Sequence, residues 1–306
     1  MGAAGLDVPA THEGSVFLGV GRRLLLAVVC LCLGIVPFAR WIPGGDQVRI
    51  VYVAVLLACA LCTRAQPSLR KYWELAFAFA IFGLVAVLDS FVNGYLGTAV
   101  LHDPPNEGDP LASTVRGTVV IQLLDALSAI VPVLVLTRIS GRDLGFIYVR
   151  KGVLGRWFVF AVVFFVVFYI FLATLPLRPD SPAHSLLPES GALTVGRFLA
   201  LSPALLLVSL SNGFEEEILF RGLFLQKYDV FFGARSANVL QALVFSAAHV
   251  GVTYTPNFLL FVVLLIFPLG LIGGYLMRRT NSVITPSIFH GALDMGIYLA
   301  FLSYAS

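Results

Sequence analysis

Glu215-Glu216-Glu217-Ile218-Leu219-Phe220-Arg221 sets three adjacent carboxylates and a guanidinium inside an otherwise apolar stretch. Two later apolar stretches carry Phe245 with His249 and His290 with Asp294, each pair four residues apart. Ionisable groups at membrane depth are costly, so they are read as functional by default. A carboxylate desolvated among apolar side chains and like charges is suited to general-base work near neutral pH. Glu216 could take a proton from water, His249 could hold or polarise that water, and His290 could donate to the oxyanion formed when water attacks a carbonyl. These groups together predict an intramembrane hydrolase.

The spacing assigns different duties to neighbouring residues. In a helix Glu217 precedes Arg221 by four, the favourable order for an ion pair, and Glu216 points about 100° away from Glu217 toward another neighbour. Glu217 with Arg221 is therefore expected to be structural support, leaving Glu216 free, and Glu215 receives no role. His290 and Asp294 share one face of the last helix. The site would then be assembled from three helices, as polar sites in bundle interiors are.

Composition supplies the setting. Of 306 residues 58% are hydrophobic and 12% charged, with 25 Phe, and the mean hydropathy is +0.92. That is too apolar for a soluble domain. The expected fold class is all-α, a polytopic membrane helix bundle of about nine transmembrane helices, with the lipid bilayer as its solvent. A formal net charge of +3 is too small to suggest a nucleic-acid partner, none is expected, and the basic residues sit at helix ends where they orient a membrane protein. Cys30, Cys32, Cys59 and Cys62 lie in apolar runs and are expected to be small packing residues rather than redox or zinc ligands.

Stretches long enough to cross a bilayer are expected at Leu24 to Trp41, Val48 to Thr63, Leu75 to Val92, Thr118 to Thr137 and Trp157 to Leu175. Others follow at Phe198 to Lys227, Asn238 to Val252, Phe258 to Met277 and Val283 to Tyr304. Arg22-Arg23 before the first stretch resembles the start of a secretory signal, but no small-residue cleavage site follows, so that span is expected to be retained. With the N-terminus inside, fourteen of the 20 Lys and Arg residues fall on the inner side and five on the outer, Arg221 being within the sixth stretch. The expected arrangement is a multi-pass protein of the cell membrane with a cytoplasmic N-terminus and an outer C-terminus. Residues 1–23 would form a short cytoplasmic tail, 24–195 the N-terminal transmembrane helices and 196–306 the catalytic helices.

Depth ties the polar groups together. Counted from the nearest inner-side charge at about 1.5 Å per residue, Glu216 and His290 lie roughly 16 Å deep and His249 and Asp294 roughly 21–22 Å. The sixth stretch is too long for a simple span, and Ser211-Asn212-Gly213 is the expected kink. Asp89 and Asp125, inside the third and fourth spans, could pair with each other or with Arg116, or line a substrate path.

The three motifs, Glu216-Glu217-Ile218-Leu219-Phe220-Arg221, Phe245-Ser246-Ala247-Ala248-His249 and His290-Gly291-Ala292-Leu293-Asp294, occur in that order over the last third of the chain. In this the chain resembles the CPBP intramembrane proteases, the group that includes the type II CAAX prenyl endopeptidases and bacteriocin self-immunity proteins. The resemblance implies hydrolysis of a peptide bond in a membrane-associated peptide or protein substrate. It implies that Glu216 activates water with His249, that His290 and the residue at 294 stabilise the oxyanion, and that Glu217 and Arg221 support them. An Asn at 294 could donate to an oxyanion; an ionised Asp294 cannot, which leaves it to orient His290, to be protonated or to bind a metal. The group is often described as metalloproteases. Glu216, His249 and His290 could supply three ligands to Zn2+, yet no His-Glu-x-x-His signature is present, and a metal-free mechanism is the expectation carried forward. Two rival expectations remain: a secondary transporter with a carboxylate and histidine proton relay, and a non-catalytic immunity or scaffold protein of the same fold.

Overall fold

The computed structural model describes residues 19–38, 45–92, 95, 114–177, 193–250 and 258–304. Among them every regular element is helical: α1 Val20–Ile35, α2 Gly45–Ala65, α3 Trp73–Phe91, α4 Val115–Ile139, α5 Arg156–Thr174, α6 Val195–Glu216, α7 Leu225–Phe232, α8 Ala234–Ala248, α9 Phe258–Phe261, α10 Phe267–Thr280 and α11 Ile284–Tyr304. Each of the nine expected stretches contains helix among its described residues, the ends of the first (39–41) and seventh (251–252) lying outside them. Seven segments are long and apolar enough to cross a membrane, from Val20–Phe38 to Val262–Thr280. The two stretches outside that set are α8, only 15 residues long, and α11, 21 residues long, whose apolarity is diluted by His290 and Asp294. The chain is an integral membrane bundle. Much of the expected outer loops, and most of the N-terminal tail, lies outside the described residues.

The outer surface is apolar where lipid would meet it. Leu24, Leu25, Val51, Val55, Val163 and Val167 are all exposed, a pattern expected of α1, α2 and α5 facing hydrocarbon. Cys32, Cys59 and Cys62 share that surface, and only Cys30 is buried. The expectation that the cysteines serve packing therefore holds for Cys30 alone.

Between apolar helices there is no water to expel, so close van der Waals approach must hold them. At the crossing of α6 with α11, a Cβ on Gly213 would stand 2.6 Å from the Ser287 carbonyl, and one on Gly291 would stand 2.9 Å from the Ser209 carbonyl. Two backbones touch here, one turn from the functional residues of both helices.

The sixth stretch does not break at Ser211-Asn212-Gly213. α6 runs on to Glu216, and the irregularity is a π-helical segment, Glu217–Gly222, closed by Leu223 N–H donating to the Ile218 carbonyl at 2.9 Å. Gly213 is used for close approach instead of bending. A second π segment, Val262–Ile266, joins α9 to α10. Such segments are often found where a helix must re-aim side chains at a functional site.

Entry into α11 is pinned from outside. Asn281 takes a left-handed conformation with φ 54° at the end of α10. Val153 N–H donates to the Thr280 carbonyl at 2.7 Å, Val283 N–H to the Tyr148 carbonyl at 2.9 Å, and the Ser282 hydroxyl to the Arg150 carbonyl at 2.6 Å. The connection between α4 and α5 thereby sets the axial position of α11, and with it the height of His290.

Overpacking a tight contact costs about 1–3 kcal/mol. Gly213→Val is expected to lower the thermal unfolding midpoint in detergent by that measure. Gly21→Ala, at a helix position with nothing within 4 Å of the new carbon, is expected to leave it unchanged or raise it.

Candidate active site

The wide turn of Glu217–Gly222 sends consecutive residues to different places. Glu217 and Arg221 turn inward and are 0% exposed, with Nη1 of the arginine 3.2 Å from Oε1 of the glutamate. Gly273 of α10 makes this possible: a Cβ there would stand 2.9 Å from Glu217 Oε1. The guanidinium also lies over the Phe245 ring, 3.9 Å from its centre, a desolvated cation–π contact. Phe245 has a further use, since its ring meets His249 edge-on at 4.5 Å and His290 at 5.7 Å between centres. This is the physical content of the Phe in the second motif.

Glu216, one residue earlier, points the other way. Its side chain is 18% exposed and lies between two imidazoles: Oε1 is 3.7 Å from His249 Nε2 and Oε2 is 3.3 Å from His290 Nε2. Oε2 is buried and makes no hydrogen bond among the described residues. The carboxylate therefore keeps an acceptor in reserve.

The two histidines are held differently. His249 caps the end of α8, where its Nδ1 lies 2.8 Å from the Phe245 carbonyl. A carbonyl only accepts, so Nδ1 carries the hydrogen and Nε2 presents its lone pair toward Glu216. His290, 2% exposed, is enclosed by acids, with Nδ1 3.0 Å from Glu217 Oε1 and Nε2 3.6 Å from Asp294 Oδ1. Acceptors at both ring nitrogens fix the ring's plane. Glu217 thus supports the site twice, once through Arg221 and once through His290.

These residues border a cavity of about 220 Å³. One wall is apolar, with Phe38, Val85, Leu219, Phe220, Leu265 and Leu269 among its residues. The polar residues along it are Asp89, Gln122, Asp125, Asn212, Glu215, Glu216, His249, His290, Asp294 and Tyr298. Of the sequence candidates, Glu216, His249, His290 and Asp294 line the cavity, whereas Glu217 and Arg221 lie behind it. Asp89 and Asp125 also border this cavity. Glu215, left without a role, reaches it too and accepts from Gln122 Nε2 at 3.1 Å.

Gln122, Asn212 and Tyr298, which also border the cavity, were not among the site residues expected from the sequence. Asn212 Nδ2 donates to Asp294 Oδ2 at 3.1 Å, and Tyr298 donates to Gln122 Oε1. A signal existed for two of them: Gln122 is a polar residue in an apolar span, and Tyr298 continues the stripe of His290 and Asp294 by one more step of four.

A catalytic zinc usually takes three protein ligands. Among the described residues no three His, Cys, Asp or Glu side chains form a set able to hold a metal ion. The His290 ring is engaged at Nδ1 by Glu217 and faced at Nε2 by two carboxylates, so Glu216, His249 and His290 stand as an acid between two bases.

Residues 198–296 match the family described as type II CAAX prenyl endopeptidase Rce1-like. No curated protein and no solved structure matches the chain. The matched segment, about a third of the chain, runs from α6 into α11 and contains all three motifs, and over it the chain is similar to that family of CAAX-type proteases.

Removing one partner of a buried ion pair costs about 3–5 kcal/mol, whereas replacing both by apolar groups of similar volume is often neutral. Arg221→Met alone is expected to destabilise by that amount in denaturant or thermal unfolding. Glu217→Leu with Arg221→Met is expected to recover most of the stability but not activity, because His290 Nδ1 has lost its acceptor.

Proposed function

We propose that the chain is an intramembrane endopeptidase that hydrolyses a peptide bond in a membrane-associated, CAAX-like substrate, using Glu216 as general base. The observation that carries this reading is the Glu216 carboxylate, one oxygen without a hydrogen bond, set between the Nε2 atoms of His249 and His290 on the wall of a cavity. The 3.7 Å separation of Glu216 Oε1 and His249 Nε2 exceeds a direct hydrogen bond and invites a bridging water. Both groups accept. A water held there gives one hydrogen to each and turns its oxygen lone pair toward the cavity.

In the reaction Glu216 takes a proton as the water oxygen forms a bond to the peptide carbonyl carbon. The carbonyl π electrons move to oxygen, and His290 Nε2–H, steadied from Nδ1 by Glu217, donates to the resulting oxyanion. Collapse of the intermediate breaks the C–N bond, and Glu216 returns its proton to the leaving amine. Asp294 acts through His290, since an ionised carboxylate cannot itself donate to the oxyanion. A substrate tethered to the bilayer would enter against the apolar wall, and the bias of basic residues toward one side supports a site in the inner half of the membrane or near its midplane.

General-base catalysis is worth about 10²–10⁴-fold. Glu216→Gln is expected to lower kcat on a prenylated peptide by at least the lower figure while the protein still accumulates in the membrane. Cleavage by purified Glu216→Gln protein at the wild-type rate would reject the mechanism. Retention of wild-type activity after exhaustive chelation is the second expected result, and restoration by added Zn2+ alone after its loss would overturn the metal-free form.

A further inference from the structure

Asp294 stands at the end of a chain of hydrogen bonds drawn from three helices. Tyr298 Oη of α11 donates to Gln122 Oε1 of α4. With its oxygen engaged, the Gln122 amide presents Nε2 to α6, where it donates to Glu215 Oε2 at 3.1 Å and, at 3.5 Å, to Asn212 Oδ1. Asn212 Nδ2 donates to Asp294 Oδ2 at 3.1 Å, and Asp294 Oδ1 faces His290 Nε2 at 3.6 Å. From Tyr298 to Asp294 every link runs in the same direction, and His290 Nε2–H meets the terminal carboxylate from the other side.

That direction has a consequence. An amide offers two donors on nitrogen and only acceptors on oxygen, so Gln122, fixed at both ends, has one orientation that satisfies its neighbours. The same holds for Asn212. Gln122, Asp294 and Tyr298 are all buried, where a reversed amide would leave donors opposed or a carboxylate unpaired. The chain starts and ends on one face of α11, because His290, Asp294 and Tyr298 follow one another at steps of four. α4 and α6 thus brace a single stripe of the helix that carries the oxyanion donor.

We propose that Gln122 and Asn212 are positioning residues of the hydrolytic reaction: their amide polarity holds Asp294 as an acceptor beside His290 and so aims Nε2–H of that ring at the reacting carbonyl. The proposal rests on the hydrolytic function put forward above. It assigns Asp294 an orienting role, and it moves the amide that an Asn at this position would have provided onto Asn212.

The test is a reciprocal exchange in the full chain, reconstituted in phosphatidylcholine vesicles, with an internally quenched farnesylated peptide ending in a CAAX sequence as the probe. Asn212→Asp sets two carboxylates face to face and is expected to lower kcat about 100-fold, the cost of a small misplacement of a catalytic group, with KM little changed. Adding Asp294→Asn restores one donor and one acceptor with the ends exchanged, and is expected to bring kcat back to within about tenfold of wild type. Gln122→Met should lower kcat in the wild type and add little to Asn212→Ala. A double exchange no faster than Asn212→Asp, or full additivity of Gln122→Met with Asn212→Ala, overturns the proposal.

Failure of the underlying function looks different. There, wild type leaves the probe intact or Glu216→Gln cleaves it equally well. In that case the melting temperatures of the same proteins decide the bond itself: Asn212→Asp is expected to melt below wild type and the double exchange above Asn212→Asp. A double exchange melting no higher removes the Asn212 to Asp294 link.

Discussion

The arrangement of the site depends on one buried ion pair. Glu217 and Arg221 are removed from solvent altogether, at a desolvation cost that only close geometry and additional partners can offset. Those partners are specific: the Phe245 ring over the guanidinium and the His290 imidazole on the carboxylate. Through them one pair on the sixth stretch fixes a ring on α8 and a ring on α11. A helix packed against apolar neighbours without this pair would have no reason to choose one rotation over another.

The pair needs room, and the backbone provides it. Gly273 leaves space for the Glu217 carboxylate, while Gly213 and Gly291 let α6 and α11 approach until backbone meets backbone. The π segment contributes the other requirement. By widening one turn directly after Glu216, it leaves that residue on the cavity wall while Glu217 and Arg221 go to the interior. Adjacent glutamates can then take separate environments, one sealed and paired, the other partly open and in need of a proton partner.

Much of this was legible from residue types. The i,i+4 contact of Glu217 with Arg221, that of His290 with Asp294, and the meeting of polar groups from three helices all appear as expected, because helical periodicity and the cost of buried charge act locally. The kink at Ser211-Asn212-Gly213 was misjudged for a physical reason: a glycine in a membrane helix serves close approach as readily as bending, and only the neighbouring helix decides which. Gln122 and Tyr298 carried only a weak signal, one a polar residue in an apolar span and the other one more step of four on α11, because neutral polar residues are cheap enough in a bundle. Their meaning arises from what they touch across 176 positions of sequence, which no local pattern encodes.

Asp294 draws these threads together. Taken alone, a carboxylate next to an oxyanion donor is a poor choice, since it repels the charge that the reaction develops. Placed as it is, with Asn212 donating to one oxygen and His290 beside the other, it instead balances the imidazole between two acids, Glu217 at Nδ1 and Asp294 at Nε2. A ring so balanced cannot swing toward either side without losing a partner. In a membrane interior, where water is scarce and cannot replace a lost hydrogen bond, that constraint is stronger than the same groups would exert in solution. In the proposed mechanism the acid at 294 gives up a direct hydrogen bond to substrate for a tighter hold on the group that would make one, and that hold needs Asn212 to be present.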